Sequence, residues 1–212
     1  RNHMQLGKNE GIFKEVALIT NTYATDWSWS VLIEDFDNDA DNDIFISNGI
    51  YKRPNDLDFI NFQSNILYEN YREEENRLER DLIDQMPMLK IPNILFSQKS
   101  DYNFEMSGES IGIPPTYSNG SAVSDLDNDG DLDIVSNNIN DKAQILENKS
   151  ENLKKSFIQF NIKNNNGSPS LGTKIIAYTG NKKMIKEITG SKGYAWSSST
   201  RVHFGLANYK KV

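Results

Sequence analysis

The sequence predicts an all-β fold with a helical insertion: short antiparallel sheets, stacked or set radially like propeller blades, then a small β unit. Three observations carry this. An acidic nine-residue window occurs twice, each time between β-type segments. Residues 54–87 switch to helical spacing between prolines. Beyond residue 150 the pattern returns to apolar–polar alternation.

The first window is Asp35-Phe36-Asp37-Asn38-Asp39-Ala40-Asp41-Asn42-Asp43, and the second is Asp125-Leu126-Asp127-Asn128-Asp129-Gly130-Asp131-Leu132-Asp133. Both place Asp at window positions 1, 3, 5, 7 and 9 and run into an apolar segment. Five like charges so close repel unless a cation sits among them, and alternate carboxylates in a tight loop suit Ca²⁺, which takes about six to eight oxygen ligands. An EF-hand would need Glu at position 12, but Ile46 and Ser136 stand there. The reading is therefore Ca²⁺ held by the side chains at 1, 3, 5 and 9 and the carbonyl at 7. The alternative is a solvated acidic turn.

The elements follow in order. Residues 9–19 read as a turn and a short alternating strand. Residues 25–33 feed the first window, with Trp27, Trp29, Val31 and Ile33 on one face by period two. Such a face is either a wedge between packed sheets or a platform for stacking sugars. Ile44–Ser47 returns, closed by Asn48-Gly49. In the insertion, Leu57, Ile60, Leu67, Tyr71, Leu78, Leu82 and Met86 fall at helical spacing, and Arg72–Arg77 forms a mixed-charge solvated face.

Strands resume at Asn93–Phe96 and Tyr102–Met106. Ser118–Ser124 feeds the second window, and Ile134–Asn137 and Ala143–Asn148 follow it. The last unit has strands at 157–162, 171–178, 184–188 and 201–206, with a turn at Asn164–Gly167. Blades are thus expected over 1–150 and a small β domain over 151–212.

Composition narrows the function. Of the net charge of −7, the windows account for ten Asp, and two Ca²⁺ would offset four charges. Lys and Arg are scattered, which argues against nucleic acid. No run approaches the roughly 18 apolar residues of a membrane span. Cysteine is absent, so disulfides and thiolate metal sites are excluded. The start Arg1-Asn2-His3-Met4 is not that of a natural chain, so a longer protein is expected. Open Ca²⁺ loops fill where calcium is millimolar, which favours an extracellular, cell-surface or periplasmic setting.

No nucleophile elbow, P-loop or dinucleotide fingerprint is present. His203, beside Phe204, reads as structural, and Glu34 and Asp26 as groups around the first window or at the surface. Carboxylate pairs could serve a glycosidase, but the obvious ones are assigned to calcium.

The two windows, each followed by an apolar strand and Asn, resemble the calcium loops of FG-GAP/VCBS repeats, the blades of integrin-type β-propellers. Thr25–Trp29, Ser47–Ile50, Asn93–Phe96 and Ser118–Ala122 resemble one family within that group: secreted repeat proteins with a terminal ASPIC/UnbV domain, cartilage acidic protein and Bacteroidetes-type secreted proteins among them. Leu171–Ile175, Gly190–Tyr194 and His203–Leu206 resemble the terminal domain. The resemblance implies a partial β-propeller, followed by a truncated terminal domain. It implies two Ca²⁺ sites, at Asp35, Asp37, Asp39, Asp41 (carbonyl) and Asp43, and at Asp125, Asp127, Asp129, Asp131 (carbonyl) and Asp133. Position 6, usually Gly, is Ala40 in the first window, which predicts weaker binding there. The function expected is a non-enzymatic adhesion or binding module for a glycan or protein. The other reading is a non-catalytic accessory region of a secreted polysaccharide-degrading enzyme.

Overall fold

The computed structural model describes residues 2–7, 11–69, 82–108, 112–180, 182–192 and 197–212. A small hairpin comes first, β1 (Gln5–Gly7) against β2 (Phe13–Glu15). A four-stranded antiparallel meander follows: β3 (Ser28–Glu34), β4 (Asp43–Asn48), β5 (Ile94–Ser100) and β6 (Asn103–Ser107), adjacent in that order. The next sheet has three strands, β7 (Ser118–Ser124), β8 (Asp133–Asn138) and β9 (Gln144–Leu146). The windows occupy equivalent β3–β4 and β7–β8 connections. Glu34 faces Asp43 and Ser124 faces Asp133 at the base of each, and each hairpin carries a register shift near its far end.

The two sheets share a core. Leu32, Phe36 and Phe45 from the first pack with Val123, Leu132 and Ile134 from the second, and Ile113 joins them. Every residue of β4 is buried, because the other face of the sheet covers Ile44, Ile46, Phe96 and Phe104. Several buried polar side chains find partners across the seam between the sheets. Asn93 donates to Ser118 Oγ (2.9 Å) and Gln144 Oε1 (3.0 Å) and accepts from the Asn48 N–H (2.9 Å). Ser47 Oγ donates to the Asn119 carbonyl. Buried polar groups must find partners, and these partners fix how the sheets meet. Among the described residues the sheets do not close into a ring.

The face of β3 differs from expectation. Ser30, Leu32 and Glu34 point inward, whereas Trp27, Val31 and Ile33 are 36%, 44% and 56% exposed. The face carrying the larger apolar residues is therefore not a wedge between the two sheets.

Helix α1 (Leu57–Glu69) lies within the expected insertion, and residues 82–85 are again helical. Asp56 starts α1 by accepting the Phe59 N–H at 3.0 Å. The buried face is displaced from the one expected: Phe59 is buried and Leu57 is 76% exposed. The expected positions Tyr71 and Leu78 and the charged face Arg72–Arg77 lie outside the described residues.

A short 3-10 turn, Ser150–Leu153, leads from β9 to the last part of the chain. There β10 (Phe157–Phe160) pairs with β13 (Val202–Gly205), and β11 (Lys174–Thr179) forms a hairpin with β12 (Lys182–Glu187). Their core is Ala177, Ile188, Val202, Phe204 and Leu206. This unit lies against the two acidic windows, which places it at the candidate site.

Candidate metal centre

Both windows use the same backbone device. Positions 4 and 6 have positive φ in each: Asn38 (58°) and Ala40 (69°), Asn128 (63°) and Gly130 (98°). Asn tolerates this region and Gly occupies it freely, while Ala pays about 1 kcal/mol. The carboxylates then fold over the loop's own amides. Asp39 Oδ1 accepts the Asp41 N–H (2.9 Å), and Asp129 Oδ1 accepts the Asp131 N–H (3.1 Å). Position 9 ties each loop to the sheet: Asp43 accepts the Phe36 (3.1 Å) and Gln98 (2.9 Å) N–H groups, and Asp133 accepts those of Leu126 and Asn148 (both 2.9 Å).

In the first window, carboxylate oxygens of Asp35, Asp37 and Asp43 lie within 4.8 Å of one another. Ligands at 2.3–2.6 Å from one Ca²⁺ can be separated by about that much. The side chains of Asp39 and Asp41 are not in that group; Asp41 pairs with Lys182 (2.9 Å), and Asp37 also meets Lys155 (3.2 Å). In the second window, Asp125, Asp127 and Asp129 converge within the same limit. Asp133 is not among them, and the Asp131 side chain converges instead with Asp129 and Glu151.

Electrostatics make the metal-free loops costly. Burial, with the charges of Asp39 and Asp43, pushes Asp35 up to about 7, against hydrogen bonds from the Ala40 and Asp39 amides. Burial and the charges of Asp37 and Asp39 push Asp43 up to about 6. Burial also raises Asp39 and Asp131. At about 1.4 kcal/mol per pKa unit, keeping Asp35 ionised costs on the order of 4 kcal/mol and Asp43 on the order of 3 kcal/mol. A bound cation would remove that cost. In the second window, Asp125 Oδ1 is buried without a hydrogen-bond partner, so the donor set fits a hard cation there.

The terminal unit is stitched to both windows. Asn38 Nδ2 donates to the Gly130 carbonyl (3.2 Å), joining one loop to the other. Asn38 Oδ1 lies 2.6 Å from Nε2 of the buried His203, and His203 Nδ1 lies 3.3 Å from Gln159 Nε2. Gln159 Nε2 also donates to Asp125 Oδ2 at 2.8 Å. This chain is satisfied by neutral His203, with Nε2–H donating to Asn38 and Nδ1 accepting from Gln159. A second proton would displace the Gln159 donor. Burial, reinforced by Lys186, accordingly pushes His203 down to about 4. The Ala207 N–H donates to the Asn38 carbonyl at 2.8 Å.

Gly205 and Gly130 allow the close approach. A Cβ on Gly205 would overlap the Asp35 carboxylate and the Asn38 backbone, and one on Gly130 would overlap the Phe157 ring. Glu34, expected as a peripheral or surface group, is instead buried between Lys186 and Lys192 (2.7 Å to the latter). Burial opposes its ionisation, but the two ammonium groups prevail and hold it below the usual carboxylate range. Asp26 pairs with Arg53 at 2.7 Å.

Most of the unit covering the loops is similar to a known family. Residues 163–212 match the family described as ASPIC and UnbV. No curated protein matches the chain. The ASPIC/UnbV match takes in β11, β12 and β13; β10 lies before it in sequence but pairs with β13. His203, Gly205, Lys182, Lys186 and Lys192 thus lie within the matched stretch and touch the acidic hairpins. Sequence reasoning left out Asn38, Gln159, Glu151 and the lysines as participants. Only Asn38 left a local trace, as an Asn at position 4 that returns as Asn128.

Proposed function

We propose that the two acidic windows are calcium loops of FG-GAP/VCBS-type propeller blades, and that the chain is a calcium-stabilised, non-enzymatic binding module. Its setting is extracellular, at the cell surface or periplasmic, and its ligand is a glycan or a protein. The observation that carries the reading is Asp125 Oδ1, a buried carboxylate oxygen without a partner beside two further carboxylates. The raised Asp35 and Asp43 support it in the first window. Calcium would supply the compact double charge these oxygens lack. The protein's own residues orient them, through the positive-φ turns at positions 4 and 6 and the position-9 ties to the sheets. The exposed Val31 and Ile33 of β3 and the exposed Trp27 just before it support ligand binding at this end of the sheet, where a sugar ring could stack on the Trp27 indole.

The test is calorimetric titration of EDTA-stripped protein with Ca²⁺, with melting curves alongside. Asp125→Ala is expected to lose calcium from the second window and to cancel the corresponding part of the calcium-induced rise in Tm. An Asp125→Ala protein that binds as much calcium as the wild type would defeat the assignment.

A further inference from the structure

The two windows differ at position 7, and the difference points to a site beyond the two already proposed. In the first window the Asp41 carboxylate takes a cation from the chain itself, the Lys182 ammonium at 2.9 Å. The neighbouring Asp37 likewise meets Lys155 at 3.2 Å. Among the described residues, no lysine or arginine forms an ion pair with a carboxylate of the second window. Asp131 there has no exposed surface at all. Its Oδ2 accepts the Ser150 hydroxyl (3.2 Å) and the Glu151 N–H (3.1 Å), tying the 3-10 turn to the loop. Its Oδ1 is buried with no partner.

That turn also delivers a second carboxylate. Glu151 places an oxygen within 4.8 Å of oxygens from both Asp131 and Asp129. Two carboxylates, those of Asp129 and Glu151, thus gather around the fully buried one of Asp131 with no ammonium among them, an arrangement whose mutual repulsion a cation would offset. Asp129 also belongs to the trio with Asp125 and Asp127.

We infer that Asp129, Asp131 and Glu151 form a distinct divalent-cation site, adjacent to the calcium loop of the second window and sharing Asp129 with it. The ligand class is a hard cation that takes carboxylate oxygens, with Ca²⁺ the natural occupant beside a calcium loop. A shared carboxylate can bridge two such ions, as in other two-metal sites whose ions stand about 3.5–4 Å apart. The ion does at position 7 of the second window what Lys182 does at position 7 of the first. It also locks the Ser150–Leu153 turn, and so the entry to β10, against the loop.

The site rests on the reading of the windows as cation loops, and the experiment separates the two. The probe is Ca²⁺ alone, titrated calorimetrically into the EDTA-stripped full chain, wild type and Glu151→Gln. Glu151 is exposed and Gln keeps its size, so the variant is expected to fold as the wild type does, with a metal-free melting temperature no lower. The expected result is three equivalents for the wild type and two for Glu151→Gln, with Asp35→Ala removing a different equivalent. Two equivalents in both proteins would overturn the extra site while leaving the loops intact. A single equivalent, lost in Glu151→Gln but kept in Asp35→Ala and Asp125→Ala, would support the site and overturn the loops. No binding by the wild type would overturn both.

Discussion

Replacing His203 by Gln removes the one buried imidazole between the loops and the terminal unit, and the structure sets what should follow. In the folded protein both ring nitrogens are engaged by a neutral ring, with Asn38 Oδ1 at 2.6 Å and Gln159 Nε2 at 3.3 Å. Its pKa falls from 6.5 to about 4, so the unfolded chain takes up the proton first. A depressed folded pKa gives stability that is fully present above 6.5 and is lost as pH falls through 4. Two and a half units correspond to about 3 kcal/mol. Asp35 and Asp43 have the opposite sign. Their folded pKa values are raised, so in the metal-free protein their contribution is present below 3.8 and lost as pH rises through about 6 and 7. Those terms are common to the wild type and the variant and cancel in the difference between them. Urea unfolding at pH 7, 6, 5 and 4 should therefore show the advantage of wild type over His203→Gln shrinking by about 3 kcal/mol, mostly between 6.5 and 4. A difference independent of pH would mean that His203 titrates normally in the fold, and the neutral hydrogen-bonded chain would be refuted.

Three further outcomes are expected. Ala40→Gly relieves a φ of 69° and should stabilise the protein by up to about 1 kcal/mol and tighten calcium at the first window; an unchanged melting curve and affinity would count against strain at that position. Glu34→Gln leaves Lys186 and Lys192 without their buried partner, and should cost about 2–3 kcal/mol, below the 3–5 kcal/mol of fully buried pairs because both lysines reach water. A loss under about 1 kcal/mol in urea unfolding would show that the pair does not hold the terminal unit in place. Calcium uptake near pH 6 should release protons, since Asp35 is then largely protonated. Titrations in buffers of different ionisation enthalpy will read the release, which should vanish above about pH 8.

The strands were legible because each carries its own signal. Alternation over 157–162, and the turn residues around each hairpin, are local facts. The acidic windows were legible for the same reason, down to the misfit of Ala40 at a position that proves to have positive φ. Tertiary approach leaves no such local record. Period two correctly put Val31 and Ile33 on one face of β3, while Trp27 precedes the strand and the half-buried Trp29 falls at its register shift, yet periodicity cannot say which face meets a neighbour. The bulk of those residues pointed to the wrong one. The insertion was legible in part: α1 and the helical residues 82–85 fall inside it and Leu82 is buried as its spacing implies, but Phe59 rather than Leu57 is the buried residue at the start of α1. Nor does anything near Glu34 in the sequence announce ammonium groups from residues 186 and 192.

Two glycines come nearest to a record of the docking. Gly205 is the last residue of β13, and a strand glycine often marks a close backbone approach. Here the approach is by Asp35 and Asn38 of the first window. Gly130 satisfies the turn at position 6, but the Phe157 ring fills the space its Cβ would need. Ala40, at the same position of the first window, is buried and lines a cavity with Phe204 and Gly205, so its methyl group has room where one on Gly130 would meet the Phe157 ring. The choice between Ala and Gly at position 6 is therefore set by φ in both windows and additionally by the terminal unit in the second. Gly130→Ala should accordingly cost more than Ala40→Gly gains.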